Sequence, residues 1–393
     1  MDLKAIQAAL IDAGFDGWLF YDFHNRDPIA ARILEMDERF TSRRWFYYIP
    51  AEGEPQKLVH AIEPWKCDHL PGDKHVYLPW QQQHELLKKI LEGSNKVAMQ
   101  YSPNNAIPYV SIVDGGTVDL VRSFGVEVVS SADLVSVFES HLDPDDIKSH
   151  EEAGKVMQMV KDEAFKEIAR RINAGESPKE YEIQAFMHDL MRKNNMTWED
   201  GPIVAINEHA GDPHFEPTEN NSFAMKVGDL VLIDLWAKFD KPGAIYYDVT
   251  WMGYIGKEVP DKFESIFQII RKARDAGLNM VRESFAQGKE IHGWEVDTAV
   301  RKVVEDAGYG KYFIHRTGHN IAEEVHGNGA HIDNLETKDE RLILPGTCFS
   351  LEPGIYMPEE KMGFRTEIDV YITDDQEVKV EGPIQEKILP LLA

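Results

Sequence analysis

Four acidic residues sit inside apolar stretches, where a charge is costly. Asp234 lies in VLIDLW, Asp248 in YYDVTW, Glu352 ends CFSLE and Glu367 lies in FRTEIDV. A buried carboxylate persists only when it is paired, protonated or bound to a cation. One such acid is ordinarily salt-bridged or at a strand edge. Four in one half of a chain are a different matter. If they converge they repel one another, and a divalent metal is the most compact compensation. His319, in HRTGHN, adds an imidazole, a common metal ligand. Four carboxylates and one imidazole do not describe a structural zinc site, which prefers thiolate and imidazole. They suit a carboxylate-bridged pair of ions of the Mn, Co, Fe or Zn kind. Two such ions, roughly 3.5–4 Å apart, can share a hydroxide and stabilise both ends of a hydrolytic displacement.

The chain that must position these groups has 393 residues, 43% of them hydrophobic and 28% charged. That length suggests two or three domains with a core that needs no staple. Forty-two basic against 68 acidic residues leave a formal charge of −26. Such a surface disfavours nucleic acid and anionic membrane and favours cations. The two cysteines, Cys67 and Cys348, form no CxxC pair. They read as reduced thiols of a cytoplasmic protein. The start, MDLKAIQAALIDAGFDGW, lacks the basic and continuously apolar regions of a signal peptide. No apolar run approaches the length of a membrane span.

Residues 1–144 read as an α/β domain. Leu3, Ile6 and Leu10 are spaced for a helix, and Gln83–Leu91 predicts another. Strands are expected at Trp18–Tyr21, Trp45–Ile49, Lys57–Ile62, His75–Leu78 and Val126–Val129. The boundary falls in HLDPD, residues 141–145. Residues 145–393 read as α+β. Val156, Val160, Ala164, Ile168 and Ile172 recur at spacing four. Ser177-Pro178-Lys179-Glu180 has the form of a capping box opening a second helix. Phe263–Ile270 and Val296–Ala307 predict two more helices. Strand-like runs lie at Leu230–Trp236, Ala244–Gly253, Cys348–Glu352 and Glu367–Ile372.

The order Asp, Asp, His, Glu, Glu and the local contexts resemble the pita-bread metallopeptidases: methionine aminopeptidase, aminopeptidase P and prolidase, with creatinase as a metal-free relative. The strongest matches are Asp248-Val-Thr250, Phe313-Ile-His315-Arg-Thr-Gly318-His319, Leu351-Glu352-Pro353-Gly354 and Arg365-Thr-Glu367. The likeness covers about residues 145–385. The preceding region resembles the smaller creatinase-type domain of prolidase and aminopeptidase P, which methionine aminopeptidase lacks. The resemblance implies two divalent ions, with Mn first among Mn, Co, Zn and Fe. Asp234 would chelate one ion, and Asp248 and Glu367 would bridge both. His319 and Glu352 would complete the first ion's shell. Glu352 would also act as general base. Thr250 and Arg365 would orient carboxylates. His214 would lie near the scissile nitrogen, His326 would polarise the scissile carbonyl and His315 would line a proline pocket. His292 and His331 have no such match and read as loop residues. The implied reaction is hydrolysis of the bond before proline in dipeptides or at peptide N-termini, by a cytoplasmic homodimer. The alternatives are an inactive peptidase-fold binding protein and a hydrolase of another amide or ester.

Three features depart from that pattern. Asp234 and Asp248 are 14 residues apart, a few more than usual, the excess lying around Phe239–Gly243. The run after Gly318-His319 reads Asn320-Ile321-Ala322 where the family often has glycine, isoleucine and glycine. Gly327 stands where an acid is common. The ligands are spared, but the pocket shape is open to change. In the first domain, Tyr21–Arg26 and Thr41–Trp45 are polar, aromatic-rich loops. They read either as solvated surface or as a lip over the active site. In the second case Arg43 or Arg44 could hold a peptide carboxylate.

Overall fold

The protein was analysed as a computed structural model that describes every residue except Glu38. The chain divides into two compact units, Met1–Glu139 and Ser140–Ala393.

The first unit is a six-stranded mixed sheet. Its strands are β1 (Gly17–Asp22), β2 (Trp45–Pro50), β3 (Gln56–His60), β4 (Asp73–Tyr77), β5 (Lys96–Met99) and β6 (Glu127–Ser130), in the order β4-β3-β2-β1-β5-β6. Five helices complete it: α1 (Leu3–Ala13), α2 (Pro28–Ile33), α3 (Trp80–Ile90), α4 (Gly115–Arg122) and α5 (Ala132–Glu139). Trp18, Phe20 and Tyr47 pack with residues of α1, α2 and α5. Leu19, Tyr21, Phe46 and Tyr48 pack with residues of α3 and α4. Alternate side chains point to opposite faces, so a strand covered on both sides is buried throughout, as β1 is, with Trp18 to Tyr21 as its continuous apolar run. The sequence expectations for five strands and two helices fall on these elements; β5, α2, α4 and α5 were not anticipated.

The second unit begins with α6 (Pro144–Asn173), capped by Asp143 and opened by Pro144. Next come α7 (Glu180–Lys193), β7 (Met196–Thr197), β8 (Ile203–Ile206), β9 (Leu230–Phe239) and β10 (Tyr247–Tyr254). Helices α8 (Asp261–Ala286) and α9 (Gly293–Asp306) precede a second group of strands. These are β11 (Asn320–Ile321), β12 (Cys348–Leu351), β13 (Gly354–Met357), β14 (Met362–Arg365), β15 (Ile368–Ile372), β16 (Val378–Val380) and β17 (Leu389–Pro390). One sheet runs β17-β10-β9-β7, with β8 also on β9; another runs β11-β12-β15-β16; β13 and β14 form a hairpin. Helices α6 and α7 bury their apolar faces against β8, β9 and β10. Helices α8 and α9 do so against β12 to β15.

Helix α7 starts later than its sequence signal. The Lys179 N–H is capped by Glu182 Oε2 at 2.7 Å, and Ser177 and Pro178 stay outside the helix. A bridge between Lys179 and Ala224, with Met225 N–H donating to Pro178 O at 2.8 Å, holds that stretch extended. Both cysteines are buried and free. No helix among the described residues is long and apolar enough to cross a membrane.

Candidate metal centre

The antiparallel register of β9 and β10 builds the first half of the site. Thr250 lies directly opposite Asp234, and Asp248 lies two residues before Thr250 on the same face. β9 runs on to Phe239, which pairs with Met196 of β7, before the longer connection begins. The second half comes from β12 and β15. Leu351 pairs with Ile368, so Glu352 and Glu367 flank the end of that ladder. Arg365 ends β14, opposite Gly354.

Asp248, His319 and Glu367 are buried and bring one ligand atom each within 4.8 Å of the others. His319 Nε2 stands 3.6 Å from Asp248 Oδ2 and 3.5 Å from Glu352 Oε1. Its Nδ1 is 3.3 Å from the Asn320 carbonyl, which can only accept. The proton therefore sits on Nδ1, and the Nε2 lone pair faces two carboxylates. Burial, with Arg316 and His326 near, holds His319 well below the usual imidazole range, so the ring is neutral.

Asp234 completes the cluster through Thr250. The Thr250 hydroxyl is 2.9 Å from Asp234 Oδ1 and 2.8 Å from Glu367 Oε2, and it accepts from Arg365 Nε at 3.1 Å. One hydroxyl proton serves one carboxylate at a time. Arg365 also pairs its Nη2 with Asp234 Oδ2. Asp248 Oδ1 is buried and has no hydrogen-bond partner among the described residues. Burial, then the like charges around them, push Asp248 and Glu367 well above the carboxylate range; burial pushes Glu352 up to about 7. A lone pair aimed at acids, an orphaned carboxylate oxygen and four crowded carboxylates fit divalent cations as their missing partner.

The three substrate-side histidines are placed differently. His326 is exposed, and its ring stands perpendicular to that of His319 with centroids 4.3 Å apart. His214 is also exposed, and the preceding Pro213 carbonyl accepts from Arg365 Nη1 at 3.4 Å. His315 is tied down at both nitrogens. Nδ1 donates to the Arg316 carbonyl at 2.7 Å, and Nε2 accepts from the Tyr356 hydroxyl at 2.7 Å. Burial and Arg365 depress His315 to about 3, so it is neutral, with no spare N–H for a substrate. Its ring edge is what it can present.

Sequence reasoning missed three residues. Tyr356 accepts from Arg365 Nη1 at 2.9 Å and donates to His315, linking Asp234 to that histidine. Asp369 accepts the Asp248 backbone N–H at 2.8 Å and is fully buried. Its signal was present, because Glu367 and Asp369 alternate in TEIDV and so share a face. Arg316 is buried near the acids and lowers the Glu352 carboxyl. His292 and His331 lie in connecting segments, as read, and both are hydrogen-bonded there. His292 precedes α9 and bonds Glu295 at 2.9 Å, and His331 is fully buried, accepting from the Asn320 N–H at 3.0 Å.

Comparison with known proteins agrees with this geometry. The model of metallopeptidase family M24 matches residues 150–374, more than half of the chain. YkvY of Bacillus subtilis, provisionally named a dipeptidase, is 27% identical over 383 residues, covering 95% of each chain. The Xaa-Pro dipeptidase of Lactobacillus helveticus is 29% identical over 302 residues, 76% of this chain and 74% of its own. Among solved structures, dipeptidase PepE of Mycobacterium ulcerans superposes with a TM-score of 0.70 at 21% identity, covering 99% and 96% of the two chains. The Xaa-Pro dipeptidase of Bacillus anthracis superposes with 0.61 at 22% identity, covering 98% and 99%. The fold shared with these structures is the expected one, a pita-bread domain after a smaller α/β domain.

Proposed function

This chain belongs to metallopeptidase family M24, and from that premise we propose that it hydrolyses the Xaa-Pro bond of dipeptides or of peptide N-termini with two divalent cations, Mn first among the candidates. The observation that carries the reading is the convergence of Asp248, His319 and Glu367, together with an Asp248 oxygen that has no hydrogen-bond partner among the described residues. Asp234, Asp248, His319, Glu352 and Glu367 would hold the cations. The relatives named as dipeptidases support a short peptide substrate. The division of labour extends the domain scheme, residues 1–144 as a creatinase-like domain and 145–393 as the catalytic one. A homodimer working in the cytoplasm is part of the reading and rests on the resemblance alone.

Bound cations supply Lewis acidity and lower the pKa of a water to near neutrality. The chain's own groups do the rest. Glu352, with a carboxyl near neutrality and close to the acids, can take a proton from the nucleophile and return it to the leaving nitrogen. His326 and His214 can donate to charge that grows on the scissile carbonyl and nitrogen. Thr250 and Arg365 hold Asp234 and Glu367 in register, and Tyr356 holds Arg365 and His315 together. Proline's missing N–H and fixed ring make a dedicated, largely apolar wall useful, and the bonded ring of His315 can form part of it.

The test is hydrolysis of an Xaa-Pro dipeptide and an Xaa-Pro-Yaa tripeptide after chelation, then with Mn restored. Mn-dependent cleavage of the dipeptide gives a prolidase, and cleavage of the tripeptide alone an aminopeptidase P. Silence toward both with two ions bound would move the substrate to another amide or ester. Silence with no ion bound would overturn the reading.

A further inference from the structure

Two departures from the family pattern, Asn320 and Gly327, are close in sequence, and the third, the long β9–β10 connection, lies far upstream. In the fold they meet on one loop, the one that carries His326. Asn320 is 1% exposed, and every polar group it has is engaged. Its N–H donates to His331 Nδ1 at 3.0 Å, and its carbonyl accepts from the Gly327 N–H at 2.9 Å. Its Oδ1 accepts from the Gly329 N–H at 2.9 Å, and its Nδ2 donates to the Cys348 carbonyl of β12 at 2.8 Å. The side chain therefore does not crowd a substrate. It ties the turn after His326 to the strand before Glu352.

That tie needs room. A Cβ on Gly327 would stand 2.3 Å from Asn320 Oδ1, and one on Gly329 would stand 2.7 Å from Asn320 Cγ. Asn320 and Gly327 are thus two halves of one exchange: the amide occupies the space that a side chain at 327 would need. The long connection closes the other side of the loop. From the end of the connection the Tyr246 N–H donates to the Ala322 carbonyl at 3.0 Å, and from the adjoining β9 the Lys238 ammonium donates to the Glu323 carbonyl. Ile245 and Tyr246 pack with Ile321, and Val325 lies against the same cluster.

We propose that Asn320, Gly327 and the long β9–β10 connection form one brace that fixes the His326 loop, and that Asn320 is a positioning residue for that imidazole. The catalytic consequence rests on the proposed function; the brace itself does not. A double-mutant cycle in the full-length protein tests both. In the Mn-loaded enzyme Asn320→Gly lowers kcat on the cleaved peptide by about tenfold and leaves KM within about twofold, because a loosened imidazole costs alignment rather than binding. Gly327→Ala alone lowers kcat comparably, since its methyl meets the amide, and adds almost nothing in the Asn320→Gly background. His326→Ala sets the floor. In cation-free protein, amide exchange at Gly327 and Gly329 accelerates at least about tenfold on Asn320→Gly. Additive kcat effects, or unchanged exchange at both glycines, would overturn the brace. A wild type that cleaves no Xaa-Pro peptide, with the exchange at Gly327 and Gly329 as stated, would remove the catalytic consequence and keep the brace.

Discussion

Both units bury acids, but they treat them in opposite ways. In the first unit Asp22 accepts backbone N–H groups from Asn25 (2.9 Å), Arg26 (2.6 Å) and Asp27 (3.1 Å). The half-buried Glu63 accepts from Ser42 (2.8 Å) and Arg43 (3.1 Å), and the exposed Asp16 from Asn95 (2.7 Å) and Lys96 (2.8 Å). Each carboxylate has its own donors and organises a loop. In the second unit Asp234 and Glu367 share one hydroxyl, and Asp248 Oδ1 has no hydrogen-bond partner among the described residues. The contrast recurs within that unit. Asp297, equally buried, accepts from the Thr317 and Asn334 N–H groups and from Arg301. Burial of an acid is therefore weak evidence of function. A shortage of donors among several acids is strong evidence, because only an outside cation or proton resolves it.

The sharpest way to break this comparison is to remove one acid from each unit. Asp248→Asn should lower peptidase activity by at least about 10³-fold, since one bridging carboxylate of the proposed pair is lost. The same substitution removes a crowded charge, so the Tm of the cation-free protein should hold or rise. Asp22→Ala should do the reverse to stability. It strands three backbone N–H groups at a cost of about 1–3 kcal/mol. Calorimetry on the two cation-free variants decides it: a larger Tm loss for Asp248→Asn than for Asp22→Ala would mean that the crowded acids are structural.

A smaller effect separates the acid cluster from the groups that aim it. Among the described residues Tyr356 hydrogen-bonds to no carboxylate, yet it joins Arg365 to His315. Tyr356→Phe should lower kcat/KM by about 10–100-fold, the usual range for a residue that orients metal ligands. Ion stoichiometry by metal analysis should remain at two. Loss of an ion in this variant would instead place Tyr356 among the determinants of cation affinity.

Most of the proposed ligand set was legible because it obeyed a local rule. Asp234, Asp248 and Glu367 stand out as charges inside apolar runs, and that pattern needs no knowledge of the fold. Tyr356 follows no such rule. A tyrosine in a strand is ordinarily core, and only the hairpin that returns Arg365 opposite Gly354 reveals its contacts. His315 shows the limit from the other side. Its match to the family motif placed it in a proline pocket, but the bonds to Arg316 and Tyr356 that occupy both nitrogens come from pairing across 41 residues in one case and from its neighbour's carbonyl in the other. Asn320 reads in the sequence as a change to the pocket, whereas its amide is spent on Gly329 and Cys348. Local helix signals met the same difficulty at Ser177, where a partner strand segment overrode the capping motif.

One acid of the first unit crosses the line between the two treatments, and it offers the finest test. Asp27 caps α2, with Oδ1 accepting from the Ala30 N–H at 2.8 Å. Its Oδ2 is buried and has no hydrogen-bond partner among the described residues. Burial, with Asp22 and Glu139 adding like charge, raises its carboxyl to about 7. This is the acid cluster's problem in miniature, met by a proton instead of a cation. In the unfolded chain the group titrates near 4. Between about pH 4 and 7 the folded state thus holds a proton that the unfolded state has lost, so stability falls as pH rises, by up to about 1.4 kcal/mol per pH unit. Below that window both states are protonated and the dependence vanishes. Asp27→Asn keeps an oxygen for the Ala30 N–H and removes the titration. Its stability should be flat across the window where the wild type declines, with the largest gain near pH 7. Hydrogen exchange at Ala31 and Leu34, whose N–H groups bond back to Asp27 and Ala30, follows this locally once corrected for intrinsic rates. An unchanged slope in Asp27→Asn would show that the acid is ionised in the fold, and that the first unit can bury a half-satisfied charge after all.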